Sequence, residues 1–166
     1  MSNYTIKDYQ TLIASFVASL IALGYYWQKY KLDKENAKRE LFTQLNERYD
    51  ELNDHLEELL HIEFETQINS QVNNERSLDE VWEYLFEDEP CRIPPYIAAT
   101  FDYINLCSEQ YYWYKKGFID KQVWSCWHKG MQDWYKYSFF LKKVVKREKE
   151  RNSSYYNDGF LNLFEG

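Results

Sequence analysis

The chain has 166 residues, a formal net charge of −7 and 19% aromatic residues, with only 5 Gly and 3 Pro. That length allows one domain beyond a membrane anchor. The acidic balance excludes a general nucleic-acid binder, which needs a broad basic footprint, and the 3 cysteines contain no CxxC pair, which excludes a cysteine-rich zinc module or a fully paired disulfide framework.

No charged side chain stands between Asp8 and Lys29. As a helix rising ~1.5 Å per residue, residues 9–28 match the ~30 Å hydrocarbon core of a bilayer. Tyr4 and Tyr9 at one end, and Tyr25, Tyr26, Trp27 and Tyr30 at the other, suit the two headgroup layers. Lys7 and Asp8 precede the run, whereas Lys29, Lys31, Lys34, Lys38 and Arg39 follow it, so the positive-inside bias places the C-terminal side in the cytoplasm. The expected organisation is a short external N-terminus over residues 1–8, a transmembrane helix over 9–28 and a cytosolic helical domain over 29–166. The corresponding location is the inner (cytoplasmic) membrane, crossed once. A cleaved signal peptide is the competing reading, because Ala22-Leu23-Gly24 has a small-x-small pattern behind a short apolar core. The near-neutral start and the basic cluster on the far side favour an uncleaved signal-anchor. Ala14, Ala18 and Ala22 repeat every fourth residue and offer a face for close helix packing in lipid, hence a homodimer.

Residues 29–67 contain neither Pro nor Gly and read as one long helix. Phe42, Leu45, Tyr49, Leu52, Leu56 and Leu59 follow the 3-4 spacing of a single face, widened by Leu41 and Leu60, which fits packing within the domain better than a coiled-coil seam. Residues 69–76 are polar and read as a loop. Ser77-Leu78-Asp79-Glu80 is a capping box for a helix that buries Val81, Trp82, Leu85 and Phe86. Pro90 and Pro94-Pro95 end it, and Pro95 suits the first position of the next helix, over 95–116, with an inner stripe of Ile97, Phe101, Ile104, Ser108 and Tyr111. Gly117 is a helix-terminating residue and Asp120 an N-cap. The following helix carries Val123, Trp124, Trp127, Met131, Trp134, Phe139 and Leu141 and is expected to continue through the basic run to Glu150, where residues 152–157 break it. Phe160, Leu161, Leu163 and Phe164 read as a tail that docks back. The fold class is therefore all-α: a single N-terminal transmembrane helix continuing into a long helix, then an antiparallel helical bundle of about four main helices.

Charge is unevenly spread. Residues 50–89 hold 14 acids against Arg76 alone, whereas residues 142–151 hold six bases against Glu148 and Glu150. The two runs are complementary within one fold. Cys107 and Cys126 sit in aromatic helical stretches and read as small core residues.

The turn Gly117-Phe118-Ile119-Asp120, Trp134, Arg147, Arg151, and Tyr155-Tyr156 with Phe160-Leu161 resemble a loose group of small bacterial and phage-borne proteins. These have an N-terminal membrane helix followed by a cytosolic helical domain. The resemblance implies an interaction or accessory role and supplies no catalytic residues.

Candidate chemistry is sparse. Glu51, His55 and Glu58 share a helix side, and Glu58 with His61 has ExxH spacing, but a di-iron bundle needs a second copy, and none is present. Arg48 and His55, two helical turns apart, have the spacing of an Arg-His pair in helical ribonucleases, which defines an alternative: a nuclease-like effector. A phage envelope or lysis component of reversed topology is a further alternative. No phosphate-binding glycine loop, GxSxG or metal-cysteine motif occurs, so neither metal nor cofactor is expected, nor nucleic acid. His128, beside Trp127, reads as a hydrogen-bonded, partly buried histidine. Tyr111, Tyr112, Trp113 and Tyr114 cannot all face one core and are the candidate interaction surface, since Tyr and Trp favour interfaces. The reading is a membrane-anchored interaction or regulatory module of a bacterial or phage conflict system, partnered by the lipid bilayer and another protein.

Overall fold

The computed structural model describes residues 6–86, 93–151 and 154–165, and all regular structure among them is helical. The expectations for Tyr4, Pro90, Cys91 and Asn152 lie outside the described residues, as do those for the side chains of Lys7, Asp8, Tyr155 and Tyr156. The elements are α1 (Ile6–Val72), α2 (Leu78–Phe86), α3 (Pro95–Lys115), α4 (Lys121–Tyr137), α5 (Phe139–Glu150) and a 3-10 segment, Ser154–Phe164. The chain divides into two compact units, Met1–Leu41 and Phe42–Gly166.

In the first unit, every described side chain from Tyr9 to Ala37 is exposed. Leu12, Ile13, Phe16, Val17, Leu20, Ile21 and Leu23 are 47–68% exposed. Helix α1 is long and apolar enough here to cross a membrane. Gly24 does not interrupt it, and a Cβ at that position would meet nothing within 4 Å. Ser19 returns its hydroxyl to the Ser15 carbonyl at 2.9 Å, which satisfies a polar group inside the apolar run. At the basic end Lys31 lies 3.7 Å from the centre of the Trp27 ring.

The second unit begins on the predicted stripe. Leu45, Leu56 and Leu59 are buried, while Tyr49 and Leu52 are half-buried. Phe42 is more open but stacks on Trp127 of α4 at 5.7 Å. The helix does not stop at residue 68. It runs through Val72, and the polar residues 69–72 belong to it. Polarity alone does not end a helix; a residue that leaves the right-handed region does. Asn74, at φ 57°, is that residue, and Asn tolerates the left-handed region better than other non-glycine residues.

Helix α2 starts with the expected capping box: Ser77 N–H donates to Glu80 at 2.6 Å, and Glu80 N–H donates to Ser77 Oγ at 3.3 Å. Helix α3 opens on Pro95 and closes at Gly117, φ 75°, where Phe118 N–H reaches Trp113 O and Gly117 N–H reaches Tyr114 O. This is a Schellman ending, completed by ring contact between Phe118 and Trp113 at 5.1 Å. The inner side of α3 is far wider than the predicted stripe. Ala99, Thr100, Tyr103, Leu106, Cys107 and Gln110 are buried together with Ile97 and Ile104, because α3 packs against α4, α5 and the 3-10 segment at once. Phe101, Ser108 and Tyr111 are only half-buried.

Asp120 caps α4, accepting from Gln122 N–H at 2.6 Å. Helices α3 and α4 run antiparallel: Tyr114 meets Trp124 near the turn and Tyr103 meets Trp134 far from it. Helix α4 runs the same way as α1, since Phe42 pairs with Trp127, Tyr49 with Trp134 and Glu63 with Ser138. The expectation of one unbroken helix to Glu150 is corrected. The chain breaks at Ser138, which is extended (φ −86°, ψ 126°) and caps a separate α5. Glu63 holds the break, accepting from Ser138 Oγ at 2.8 Å, Phe139 N–H at 2.9 Å and Phe140 N–H at 2.8 Å. Phe160, Leu161 and Phe164 are buried, so the tail does dock on the bundle. The half-buried His128 ties it down, donating from Nε2 to the Leu163 carbonyl at 2.8 Å and stacking on Trp124 at 5.6 Å.

Candidate functional site

The four aromatic residues of 111–114 do not form one surface, because successive helix positions turn by ~100°. Tyr111 is half-buried against Trp124 and Phe160, at 5.4 and 5.8 Å. Tyr114 stacks on Trp124 at 5.1 Å with the rings 12° apart. Trp113 leans on Phe118. Tyr112 alone of the four is fully open, at 52% exposure, edge-on to Trp113. Three of the four are therefore structural to a large degree.

The Arg48 and His55 side chains have separate partners. Arg48 forms an ion pair with Glu109 of α3, and His55 pairs with Glu58 at 3.6 Å. His61 pairs with Glu65 at 3.6 Å rather than completing a site with Glu58. Among the described residues no three His, Cys, Asp or Glu side chains are grouped closely enough to hold a metal ion. Cys107 is buried as expected, but Cys126 is exposed, and its reading as a core residue is corrected.

A pocket does form where α1, α3 and α4 meet. Asn46 and Tyr49 come from α1, Tyr103 and Gln110 from α3, and Cys126, Trp127, Gly130 and Met131 from α4, enclosing about 280 Å³. The 3-4 spacing of α1 brings Asn46 and Tyr49 to one side, and the antiparallel α3–α4 pair supplies the facing walls. Tyr49 is fixed by accepting at its hydroxyl from Trp134 Nε1 at 3.2 Å. Tyr103 shares a side-chain hydrogen bond with Cys107, and burial pushes both the phenol and the thiol well above their ordinary ranges. Both therefore stay protonated near neutral pH, and Cys107 offers no thiolate nucleophile. Gln110 is 4% exposed, so its amide, with that of Asn46, is a polar handle in a pocket walled largely by Tyr49, Tyr103 and Trp127. The volume lies just below the ~300–1,000 Å³ of sites for drug-sized molecules. It is the size for one large side chain or a similarly small guest.

The second feature absent from the sequence reading is an exposed apolar ridge. Phe64, Ile68 and Val72 are 63%, 42% and 74% exposed and repeat every fourth residue along the end of α1. Leu60 begins the same series and lines a shallow depression with Gly130, Asp133, Trp134 and Tyr137. Tyr137 is itself 66% exposed. The repeat is visible in the sequence, but its significance depended on the helix continuing to Val72. No protein-family model, curated protein or solved structure matches this chain.

Proposed function

We propose that this protein is a single-pass, membrane-anchored interaction module, with its N-terminus outside and residues 42–166 in the cytoplasm as a docking unit for another protein. The observation that carries this reading is the open apolar half of α1. Transferring an exposed Leu, Ile, Phe or Val side chain out of water gains roughly 1.5–3 kcal/mol, so seven of them together favour an apolar surrounding by on the order of 10 kcal/mol. A bilayer supplies that surrounding, and helical backbone is what it accepts. Lys29, Lys31, Lys34, Lys38 and Arg39 then act as the cytoplasmic stop. On the docking unit, the ridge Phe64, Ile68 and Val72 supplies apolar area, and the Tyr49–Tyr103–Trp127 pocket supplies a place for an anchoring side chain, with Gln110 to orient it. The resemblance implies an interaction or accessory role, and the setting proposed for it is a bacterial or phage conflict system.

The experiment is membrane extraction together with a topology reporter. Native protein is expected in the alkali-resistant membrane fraction, with a cytoplasm-only reporter fused after Gly166 active. A Phe16→Lys, Leu20→Lys variant is expected to be released, since each charge at the centre of a span costs ~2.5–3.5 kcal/mol. Equal retention of the variant, or activity of a periplasm-only reporter, would refute the proposed arrangement.

A further inference from the structure

A second cavity, of about 290 Å³, opens between α2 and α5 and is lined by Trp82, Phe86, Lys143, Lys146, Arg147 and Glu150. The α5 residues stand at i, i+3, i+4 and i+7, so they share one face, and Trp82 and Phe86 are one turn apart on α2. The Arg147 guanidinium lies over the Phe86 ring, 4.6 Å from its centre. Phe86 in turn packs on Trp82 at 4.1 Å. Arg147 Nη1 is buried without a hydrogen-bond partner, the single buried side-chain nitrogen or oxygen so placed among the described residues. The two lysines have acids at hand: Lys143 is 2.5 Å from Asp79, and Lys146 is 4.0 Å from Glu150. Both acids are open, at 64% and 67% exposure, and can swing into solvent.

We infer that this cavity is a binding site for a small phosphate monoester, its phosphate held by Arg147, Lys146 and Lys143 and its apolar group laid against Trp82 and Phe86. A guanidinium N–H left buried and unpaired is costly, and an anion removes that cost. Guanidinium presents a planar fork that matches phosphate oxygens, and it has no acceptor that could repel them. Three cations on one face suit a doubly charged phosphate better than a single carboxylate. Stacking has already oriented Arg147, so little freedom is lost on binding. Among the described residues Glu150 is the one acid in the lining, and it opposes the anion unless it stays with Lys146. The volume admits a ligand of about one ring and no more.

The test is calorimetric titration of the full-length protein in detergent with phenyl phosphate, inorganic phosphate and phenol. Glu87, Asp88 and Glu89 follow Phe86 in the sequence, so a Glu87→Gln, Asp88→Asn, Glu89→Gln variant is titrated beside the native protein. Saturable binding of phenyl phosphate, weakened at least tenfold by Arg147→Met and several-fold by the exposed Lys146→Gln, is expected, with no binding of phenol. Binding of phenyl phosphate well above inorganic phosphate assigns the aromatic wall to the ester. Equal binding of the two keeps a phosphate site but overturns the assignment to a monoester. Binding to the triple variant alone still supports the site, with the chain's own acids as competitors. Failure of phenyl phosphate to bind either protein, or identical affinity in native, Arg147→Met and Lys146→Gln proteins, would overturn the inference.

Discussion

Glu63 shows how far a single side chain can act. In the sequence it is one of 14 acids in residues 50–89 and nothing distinguishes it. In the structure it is 5% exposed and closes the start of a helix more than seventy positions later. Its two oxygens take the first two N–H groups of α5, and Ser138 Oγ takes the third, from Leu141 at 3.1 Å. Those N–H groups have no partner inside the helix, and the partial positive charge of a helix start favours a carboxylate there. Burial pushes the Glu63 carboxyl above the usual carboxylate range, while the Phe140 and Phe139 amides, the Ser138 hydroxyl and Lys142 pull it down. A carboxyl with a higher pKa in the folded chain holds its proton longer there than in the unfolded chain. Its contribution to stability is full below the unfolded value and is lost as pH rises through the folded value. Glu63→Gln keeps the shape but turns an NH2 toward a donor, so it is expected to destabilise by roughly 1–3 kcal/mol. The gap between native and variant is expected to be widest in acid and to narrow as pH rises above the ordinary carboxylate range. Thermal unfolding of both across that range measures it; a gap that widens with pH would contradict the direction assigned to Glu63.

At the scale of elements, helix ends made by neighbouring residues were legible and ends made at a distance were not. The Ser77–Glu80 box, Pro95, the Gly117 ending and the Asp120 cap each use groups within a few positions of one another, and the structure forms all four. The α4–α5 break carries no Gly or Pro, and the carboxylate that stabilises it comes from α1, so periodicity ran straight through it. The pocket between α1, α3 and α4 was hidden for the same reason: its walls come from three separate elements. The two serine caps make the difference measurable. Ser77 is partly open, and water can replace its hydroxyl, so Ser77→Ala is expected to cost about 0.5–1 kcal/mol. Ser138 is 1% exposed and bonded both to Leu141 N–H and to Glu63. Ser138→Ala leaves two buried groups short of a partner and is expected to cost about 2 kcal/mol or more. Urea unfolding of the two variants ranks them, and an equal or smaller loss for Ser138→Ala would show that the break is held by Glu63 alone.

For the whole molecule, the proposed anchor raises the question of how many chains sit together. At ~100° per residue, Leu12, Ile13, Phe16, Val17, Leu20, Ile21 and Leu23 occupy about one half of the helix circumference. Ala14, Ser15, Ala18 and Ala22 fall in the other half. A helix so divided can present its large side chains to lipid and its small ones to a second helix, where backbones approach closely and gain dispersion and Cα–H···O contacts. The hydrophobic effect cannot drive this step, since lipid is as apolar as the side chains, so the fit of small residues carries it. Pairing of anchors would bring two docking units to one place and raise their avidity for a partner through effective concentration, without any new contact. Lys29, Lys31, Lys34, Lys38 and Arg39 repel across such a pair, but anionic headgroups screen them. Ala18→Ile blocks the close approach while preserving apolarity and insertion, and Leu20→Ile, on the opposite half, serves as the control. Energy transfer between labelled chains in membranes, at matched expression, is expected to fall several-fold for Ala18→Ile and to stay at the native level for Leu20→Ile. Unchanged transfer in Ala18→Ile would remove the small-residue face as the contact, and no transfer in the native protein would leave the anchor a tether for a single chain.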